Sequence, residues 1–528
     1  SKRLAWIRFD ESRVPEYDMQ LWGKLYPVEY RFKYPKAGEA NSLVSVLIAD
    51  ASGAPDGVVQ KLTVDTGTET DIYLPRIMWT KNANILSIRR LNRLQNKIDL
   101  LHAEATTGKT TVVLSETSPT YVDLELTDDL AYLADGKSFL WTSERSGYKH
   151  VYRYDLTGKL ISPVTSGNFE VKDVLGVDAK TNAVYFTSAE VSPLERHLYR
   201  VGLDGKNKTR LTPEAGTFGI NLSPDFTYYL QYHGSSATPQ TVSVLQTIAN
   251  KASKPVRVVE SNQALKTRLK EYAIAPKRFF QFTTPEGTSL NGYMIRPIDF
   301  DSTKKYPVLM FVYGGPGSQQ VLNNWEGRDF FWYQTLAQKG YIIACVDNRG
   351  TGSRGNAFRT VTYAQLGKYE TLDQIEGAKY LGGLPYVDKS RIGIWGWSYG
   401  GYMSALCMTI GADYFKTGIS VAPVTTWRFY DTIYTERYLK RPQDNASGYD
   451  DNSPLTHAAK LKGNYLLVHG TGDDNVHFQN SVAFEDALIK ANKQFQSFYY
   501  PNRNHGIYGG NTRMHLYQMM TNFIEKNL

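Results

Sequence analysis

The chain has 528 residues, enough for about two to four domains at the usual ~150 residues each. With 41% hydrophobic residues, 37 Tyr and 9 Trp it is globular and aromatic-rich. The formal charge of +8 is scattered, without a run of five basic residues, so nucleic acid is not an expected partner. No apolar run approaches the ~18 residues of a membrane span, and the two cysteines, Cys345 and Cys407, sit in apolar stretches that read as core.

Residues 1–265 read as short alternating strands without convincing helices. Asp135-Gly-Lys-Ser-Phe-Leu-Trp-Thr-Ser143, Thr181-Asn-Ala-Val-Tyr-Phe-Thr-Ser188 and Ser223-Pro-Asp-Phe-Thr-Tyr-Tyr-Leu-Gln231 recur about every 45 residues. Between them run second strands closed by polar turns, His150–Leu156 with Thr157-Gly158-Lys159 and His197–Leu203 with Asp204-Gly205-Lys206. Lys81–Arg89 and Lys2–Phe9 fit the pattern more loosely. Four-stranded units at this period are the mark of β-propeller blades, of which about five can be built here. A β-sandwich with coincidental spacing is the competing reading.

From 266 to 528 strands alternate with helices. Strands are expected at Phe280–Thr284, Gly292–Pro297, Pro307–Tyr313, Tyr341–Asp347, Ile392–Trp397, Gly418–Pro423, Tyr465–His469 and Phe495–Tyr500. Amphipathic helices are expected at Asp329–Gln338, Leu372–Leu381, Tyr402–Ile410, Ser481–Ala491 and Met514–Asn527. This alternation predicts a mainly parallel sheet with an antiparallel start, the layout of an α/β-hydrolase domain. Ligands of such sheets gather at the carboxyl ends of the strands.

Three loops at those ends carry chemistry. After the third strand, Val312-Tyr313-Gly314-Gly315-Pro316-Gly317 allows close backbone approach, and the Tyr313 hydroxyl suits an oxyanion donor. After the fourth, Gly350-Thr-Gly352-Ser-Arg-Gly355 matches a dinucleotide fingerprint. Such a site requires a helix opening on the glycines, whereas the polar stretch 356–360 shows no apolar periodicity, so no nucleotide is expected. After the fifth comes Gly396-Trp-Ser398-Tyr-Gly400, the nucleophile elbow. In a chain with 43 glycines this pattern arises by accident roughly 0.2 times, so its surroundings must decide.

They agree with it. The partners of such a serine follow in the order acid, then histidine. Asp473 and Asp474 close the strand Tyr465–His469, and His505 lies in the loop after the last strand. Local sequence does not separate the two aspartates. His469 inside a strand, His477 at a helix start and His515 within a helix fit less well. Ser398 is thus expected to form an acyl-enzyme, with His505 as base and the N–H of Tyr399 completing the oxyanion hole. There is no Walker A, HExxH or CxxC run, so neither metal nor cofactor is expected.

Gly396–Tyr402, Ala422-Pro-Val424-Thr-Thr-Trp427, Tyr430-Asp431, Tyr434-Thr-Glu-Arg-Tyr438, His469–Phe478 and Asn504-His505-Gly506 resemble the dipeptidyl peptidase IV branch of the prolyl oligopeptidase family of serine peptidases. The resemblance is to a bacterial member over its C-terminal portion. In the propeller it rests on Tyr34-Pro-Lys-Ala-Gly38 and Leu91-Asn-Arg-Leu-Gln-Asn96. It implies Asp473 as the triad acid and Tyr313 as the side-chain oxyanion donor. It also implies a proline pocket of Tyr399, Val424, Trp427, Tyr430, Tyr434 and Val476, with Asn475 on the preceding carbonyl. By spacing alone, Trp427, Tyr430 and Tyr434 read as a helical core stripe. A flat aromatic box does suit a pyrrolidine, which brings no N–H to satisfy.

The implied activity is release of X-Pro, and less well X-Ala, dipeptides from N-termini of proline-containing peptides. A prolyl tripeptidyl or acylaminoacyl peptidase, or a propeller scaffold protein, are the alternatives. The family's amine-binding Glu-Glu pair is absent from residues 1–265, and family order would put it before Ser1. The resemblance further implies a periplasmic, cell-surface or secreted protein and a homodimer, in which 10–27 matches a dimer-forming blade extension only loosely.

Overall fold

A computed structural model describes residues 3–50, 61–248, 251–326 and 328–528; Lys2, which opens a predicted strand, lies outside the described residues. In the N-terminal half, five antiparallel sheets of a β-propeller follow one another among the described residues. The first has three strands, Arg3–Asp10, Leu43–Asp50 and Lys61–Thr63. The other four are four-stranded meanders, spanning 72–117, 130–163, 171–210 and 217–260.

The second strand of a blade is a continuous apolar and hydroxyl run, as in Ser138–Ser143 and Ala183–Ser188, and both are buried throughout. Such a strand needs cover on both faces, and adjacent blades supply it. Leu140, Val151 and Val164 of one blade pack with Val171, Val184, Phe186 and Tyr199 of the next. An outermost strand lacks that cover, and Lys254–Glu260 is exposed along its length. Turn glycines set the blade spacing: at Gly158, with φ 85°, an added Cβ would lie 1.7 Å from the carbonyl oxygen of Val113 on the neighbouring blade. A hairpin, Glu16–Leu21 paired with Val28–Lys33, leaves the first sheet as an arm.

The C-terminal half is an α/β-hydrolase domain built on one eight-stranded sheet. Its strands are β1 (Lys277–Thr283), β2 (Ser289–Ile295), β3 (Tyr306–Phe311), β4 (Ile342–Asp347), β5 (Val387–Trp397), β6 (Thr417–Val421), β7 (Asn464–Gly470) and β8 (Gln496–Tyr500). The spatial order is β1-β2-β4-β3-β5-β6-β7-β8, antiparallel through β1, β2 and β4 and parallel thereafter. Helices α1 (Arg328–Gln338), α2 (Lys368–Gly382), α3 (Tyr399–Thr409), α4 (Thr432–Leu439), α5 (Gln479–Lys490) and α6 (Thr512–Asn527) flank it. Apolar stripes at helical spacing assign their sides. Phe330, Tyr333, Leu336 and Ala337 of α1 share a core with Leu516, Met520, Phe523 and Ile524 of α6. Ile375, Ala378 and Leu381 of α2, with Phe484 and Leu488 of α5, join α3 on the other side. Cys345 and Cys407 are buried and free.

Three local features depart from the sequence reading. A helix, Gln263–Leu269, spans the expected division at residue 265; it is short and carries no buried residue, so it has no apolar stripe to read. A five-residue helix, Asn356–Thr360, opens on Gly355. Ionic pairing holds it there: Arg359, 1% exposed, donates to Glu144 of the propeller and lies 3.4 Å from Asp123. Finally, Trp427, Tyr430 and Tyr434 do not share one helix. Trp427 lies in a 3-10 turn, Tyr430 is extended, and α4 starts anew behind Asp431, whose side chain accepts from the N–H of Tyr434. Among the described residues no helix is long and apolar enough to cross a membrane.

Candidate active site

Ser398 stands between β5 and α3 at φ 62° and ψ −117°, a strained conformation for a side-chain-bearing residue. The flanking glycines make the turn possible. A Cβ at Gly396 would lie 2.3 Å from the Gly400 carbonyl oxygen, and one at Gly400 would lie 2.1 Å from that of Val312. Tyr399 is the first residue of α3, so its N–H is one of the orphan donors of a helix start, aimed into the space before Ser398.

The two aspartates part company here. Asp473 is fully buried, whereas Asp474 is exposed. Asp473 Oδ2 accepts from His505 Nδ1 at 2.8 Å, and Oδ1 accepts the N–H groups of Asn475 and Val476 at 3.0 and 2.9 Å. Burial alone would push this carboxyl up. Hydrogen bonds from His469 and His505 outweigh it and hold the pKa to about 2, so it stays ionised. With Nδ1–H committed to Asp473, His505 keeps Nε2 free as a base. Its carbonyl oxygen accepts from Trp397 Nε1 at 3.0 Å, which fixes the loop one residue from the elbow. Among the described residues Ser398 makes no hydrogen bond to His505; contacts of this kind tighten when substrate binds.

Beside Ser398 the rings of Tyr399, Trp427, Tyr430 and Tyr434 form a box, with successive centroids 5.3 to 5.8 Å apart and Tyr430 near perpendicular to both Trp427 and Tyr434. Val424 and Val476 are buried in the same cluster. Asn475 lies at the rim; its Oδ1 accepts from Tyr430 OH at 2.8 Å, which leaves its amide N–H₂ as the outward donor. Tyr313 packs 6.1 Å from Tyr399, and burial followed by the charge of Glu125 raises its hydroxyl pKa, so it remains a neutral donor.

Two propeller segments clamp α4, which carries Tyr434. From 34–38, Pro35 O accepts Thr432 N–H, Ala37 N–H donates to Tyr430 O, and Gly38 N–H donates to Glu436 at 2.8 Å. From 91–96, Arg93 makes two 2.7 Å bonds to the buried Glu436, and Gln95 bonds to Ile433 O and Arg437. These are the two propeller runs that carried the family resemblance; in the fold they meet on one helix of the other domain.

The parts played by three positions escaped the sequence reading. His469 donates from Nε2 toward Asp473 Oδ2 (3.2 Å) and Val476 O (2.8 Å) while Nδ1 meets Ser481 Oγ at 2.7 Å. A histidine in the apolar run of β7 was the available signal, because a buried polar group needs a partner. Glu370 in α2 is fully buried and accepts from Tyr399 OH at 2.7 Å. His477, also buried, stacks on Tyr17 of the arm with ring centroids 3.5 Å apart. The glycine run after β4 is likewise accounted for: the N–H groups of Ser353 and Gly355 go to the buried carboxylate of propeller Glu170, at 3.0 and 2.9 Å. That leaves a carboxylate where a phosphate would have to bind.

Residues 1–240 match the model of the dipeptidyl peptidase IV (DPP IV) N-terminal region, and 328–528 that of the prolyl oligopeptidase family. The chain is 33% identical to a probable dipeptidyl peptidase 4 of Emericella nidulans, over 100% of this chain and 70% of that protein. It is 34% identical to the dipeptidyl peptidase 4 of Arthroderma otae, over 99% and 69%. Among solved structures it is similar to Porphyromonas gingivalis dipeptidyl peptidase 4, with a TM-score of 0.95 at 44% identity, covering 100% of this chain and 73% of that one.

Proposed function

The chain belongs to the dipeptidyl peptidase IV family of serine peptidases, and from that premise we propose that it releases X-Pro dipeptides, and X-Ala less well, through an acyl-enzyme on Ser398. The observation that carries this reading is the aromatic box beside the strained serine, with an amide donor at its rim. A proline ring fills the box, and Asn475 holds the carbonyl of the residue before it. Because α3 supplies the Tyr399 N–H and the loop after β3 the Tyr313 hydroxyl, the carbonyl oxygen of the proline meets two donors.

The steps follow. His505 Nε2 takes the proton of Ser398 as Oγ bonds to the carbonyl carbon, and the carbonyl π pair moves onto oxygen. Collapse of that intermediate breaks the C–N bond, and His505 returns the proton to the leaving amine. A water then repeats the sequence on the ester and frees the dipeptide and Ser398. Asp473 keeps His505 in the Nδ1–H tautomer throughout.

The test is mass spectrometry of products from free and acetylated X-Pro, X-Ala and X-Gly peptides. Dipeptides from free N-termini are expected. Tripeptides or acetylated single residues would move the chain to the tripeptidyl or acylaminoacyl branch. We also propose the family's extracytoplasmic location, which cell fractionation would test, and a homodimer. Trp22, Leu25 and Tyr26 at the arm tip are more than half exposed, and the N–H of Trp22 donates to Asn502. Light scattering at micromolar concentration should give twice the chain mass, and Leu25→Glu with Tyr26→Glu should halve it.

A further inference from the structure

Glu125 belongs to the propeller, yet its carboxylate reaches the helix that carries Tyr434 of the aromatic box. Its Oε1 accepts from Arg437 Nη1 at 2.8 Å. Arg437 lies three residues after Tyr434 in α4 and so shares its side of the helix. The charge of Glu125 acts on the hydroxyls of both Tyr313 and Tyr434. Arg437, Tyr313 and Tyr434 therefore locate this carboxylate in the space between the box and the propeller. The turn that carries it is fixed in place, since Asp123 Oδ1 accepts the N–H groups of Glu125 and Leu126 at 3.1 and 3.3 Å.

The ion pair is lopsided. The guanidinium of Arg437 is 8% exposed, and its Nε is spent on Gln95 Oε1 at 2.9 Å, whereas the side chain of Glu125 is 72% exposed. What the pair presents to solvent is its negative end. With proline in the box and its carbonyl at Ser398, the preceding residue must leave on the side away from the departing amine. On the reading above that side is the one toward the propeller, where Glu125 meets Arg437.

We propose that Glu125 makes the chain select a cationic side chain, lysine or arginine, on the residue preceding the proline, and disfavour an acidic one. This rests on the dipeptidyl peptidase reading above. The same carboxylate chemistry would accept an α-ammonium. The side chain is favoured because a carboxylate already shared with Arg437 and open to solvent poorly compensates a desolvated α-ammonium, while a long, flexible, solvated cation gains from it.

The experiment measures kcat/KM for Lys-Pro, norleucine-Pro and Glu-Pro p-nitroanilides, all with free N-termini, on the full chain and on Glu125→Gln. The wild-type ratio of Lys-Pro to norleucine-Pro should be roughly three- to tenfold and should shrink with added salt. In Glu125→Gln it should fall toward one while Glu-Pro gains on norleucine-Pro. Glu125→Ala should shift the ratios the same way, which separates charge from the hydrogen bonding of glutamine. Ratios that stay at wild-type values in both variants overturn the proposal. A uniform loss across the three substrates overturns it too, since it assigns the carboxylate to the α-amine or to the fold. If the wild type cleaves none of the X-Pro substrates, the functional reading itself falls, and this inference with it.

Discussion

At the scale of single residues, the proposed site pairs the strained Ser398 with Asp473, whose four hydrogen bonds leave it no freedom. Ser398→Ala should lose on the order of 10⁶ in kcat with an unchanged melting temperature, and a fluorophosphonate should label Ser398 alone. Asp473→Asn should cost roughly 10⁴ through the wrong tautomer of His505, while exposed Asp474→Asn should cost little. Equal sensitivity of the two would refute the assignment. Tyr313→Phe should cost about 10²–10³ in kcat if its hydroxyl meets the oxyanion. Glu370 makes a separate statement. Burial pushes its carboxyl to about 7, against the pull of backbone amides and Tyr399 OH. Its folded pKa is thus raised above the unfolded value, so stability is fully present below about pH 4.5 and is lost as pH rises through 7. The full loss is about 3 kcal/mol. Glu370→Gln keeps an acceptor for Tyr399 and should flatten the fall in melting temperature between pH 5 and pH 8; an unaltered slope would clear Glu370 of that role.

Among the elements, the arm 16–33 and the segment 34–38 behave as a strap from propeller to hydrolase domain. The arm's purchase is His477, which stacks on Tyr17 and meets Phe32 and Tyr34 edge-on or tilted. Burial first, then the charge of Lys36, lowers its pKa to about 3, with Asp473 pulling the other way and His469 adding to the lowering. The folded value is depressed below the unfolded ~6.5, so docking is at full strength above that pH and weakens as pH falls toward 3. At pH 5 the loss is about 2 kcal/mol. Hydrogen exchange of residues 16–33 should therefore quicken between pH 7 and pH 5, after correction for the intrinsic rate. His477→Phe, which keeps a ring without a proton to gain, should remove that pH dependence. Persistence of the dependence in the variant would point to another group.

Over the whole molecule, the two domains meet through buried ion pairs and charged hydrogen bonds, beside an apolar contact in which Ala37 and Tyr121 of the propeller join the core of the hydrolase domain. Arg93 with Glu436, Arg359 with Glu144, and Glu170 with the glycine run each join a propeller group to a loop or helix near the site. Such pairs add little net stability when whole, yet removing one partner strands a buried charge at a cost of about 3–5 kcal/mol. Arg93→Met leaves Glu436, fully buried, uncompensated on the helix that carries Tyr434. Calorimetry should show a lower melting temperature, and KM for X-Pro substrates should rise with it. A stable variant with an unchanged KM would mean that the box does not depend on the propeller for its shape.

The eight strands and the elbow were legible in the chain because each rests on local rules. Apolar runs bounded by glycine make buried strands, helical stripes choose a side of the sheet, and only glycine fits at 396 and 400. Chain order singled out Ser398, an aspartate and His505 as candidates for the same reason, since each follows a strand at the carboxyl edge of the parallel part of the sheet. What a local pattern could not carry was any relation between residues distant along the chain. The helix 356–360 has no stripe and exists through Arg359 and its propeller partners. Tyr434 shares a box with Trp427 across a broken helix, set by two propeller loops more than 300 residues away. Asp473 and Asp474 differ by their surroundings, one buried under two histidines and the other in water. Periodicity and turn chemistry act over a few residues and so are written in sequence; burial and charge pairing act through space, and only the packed chain fixes them.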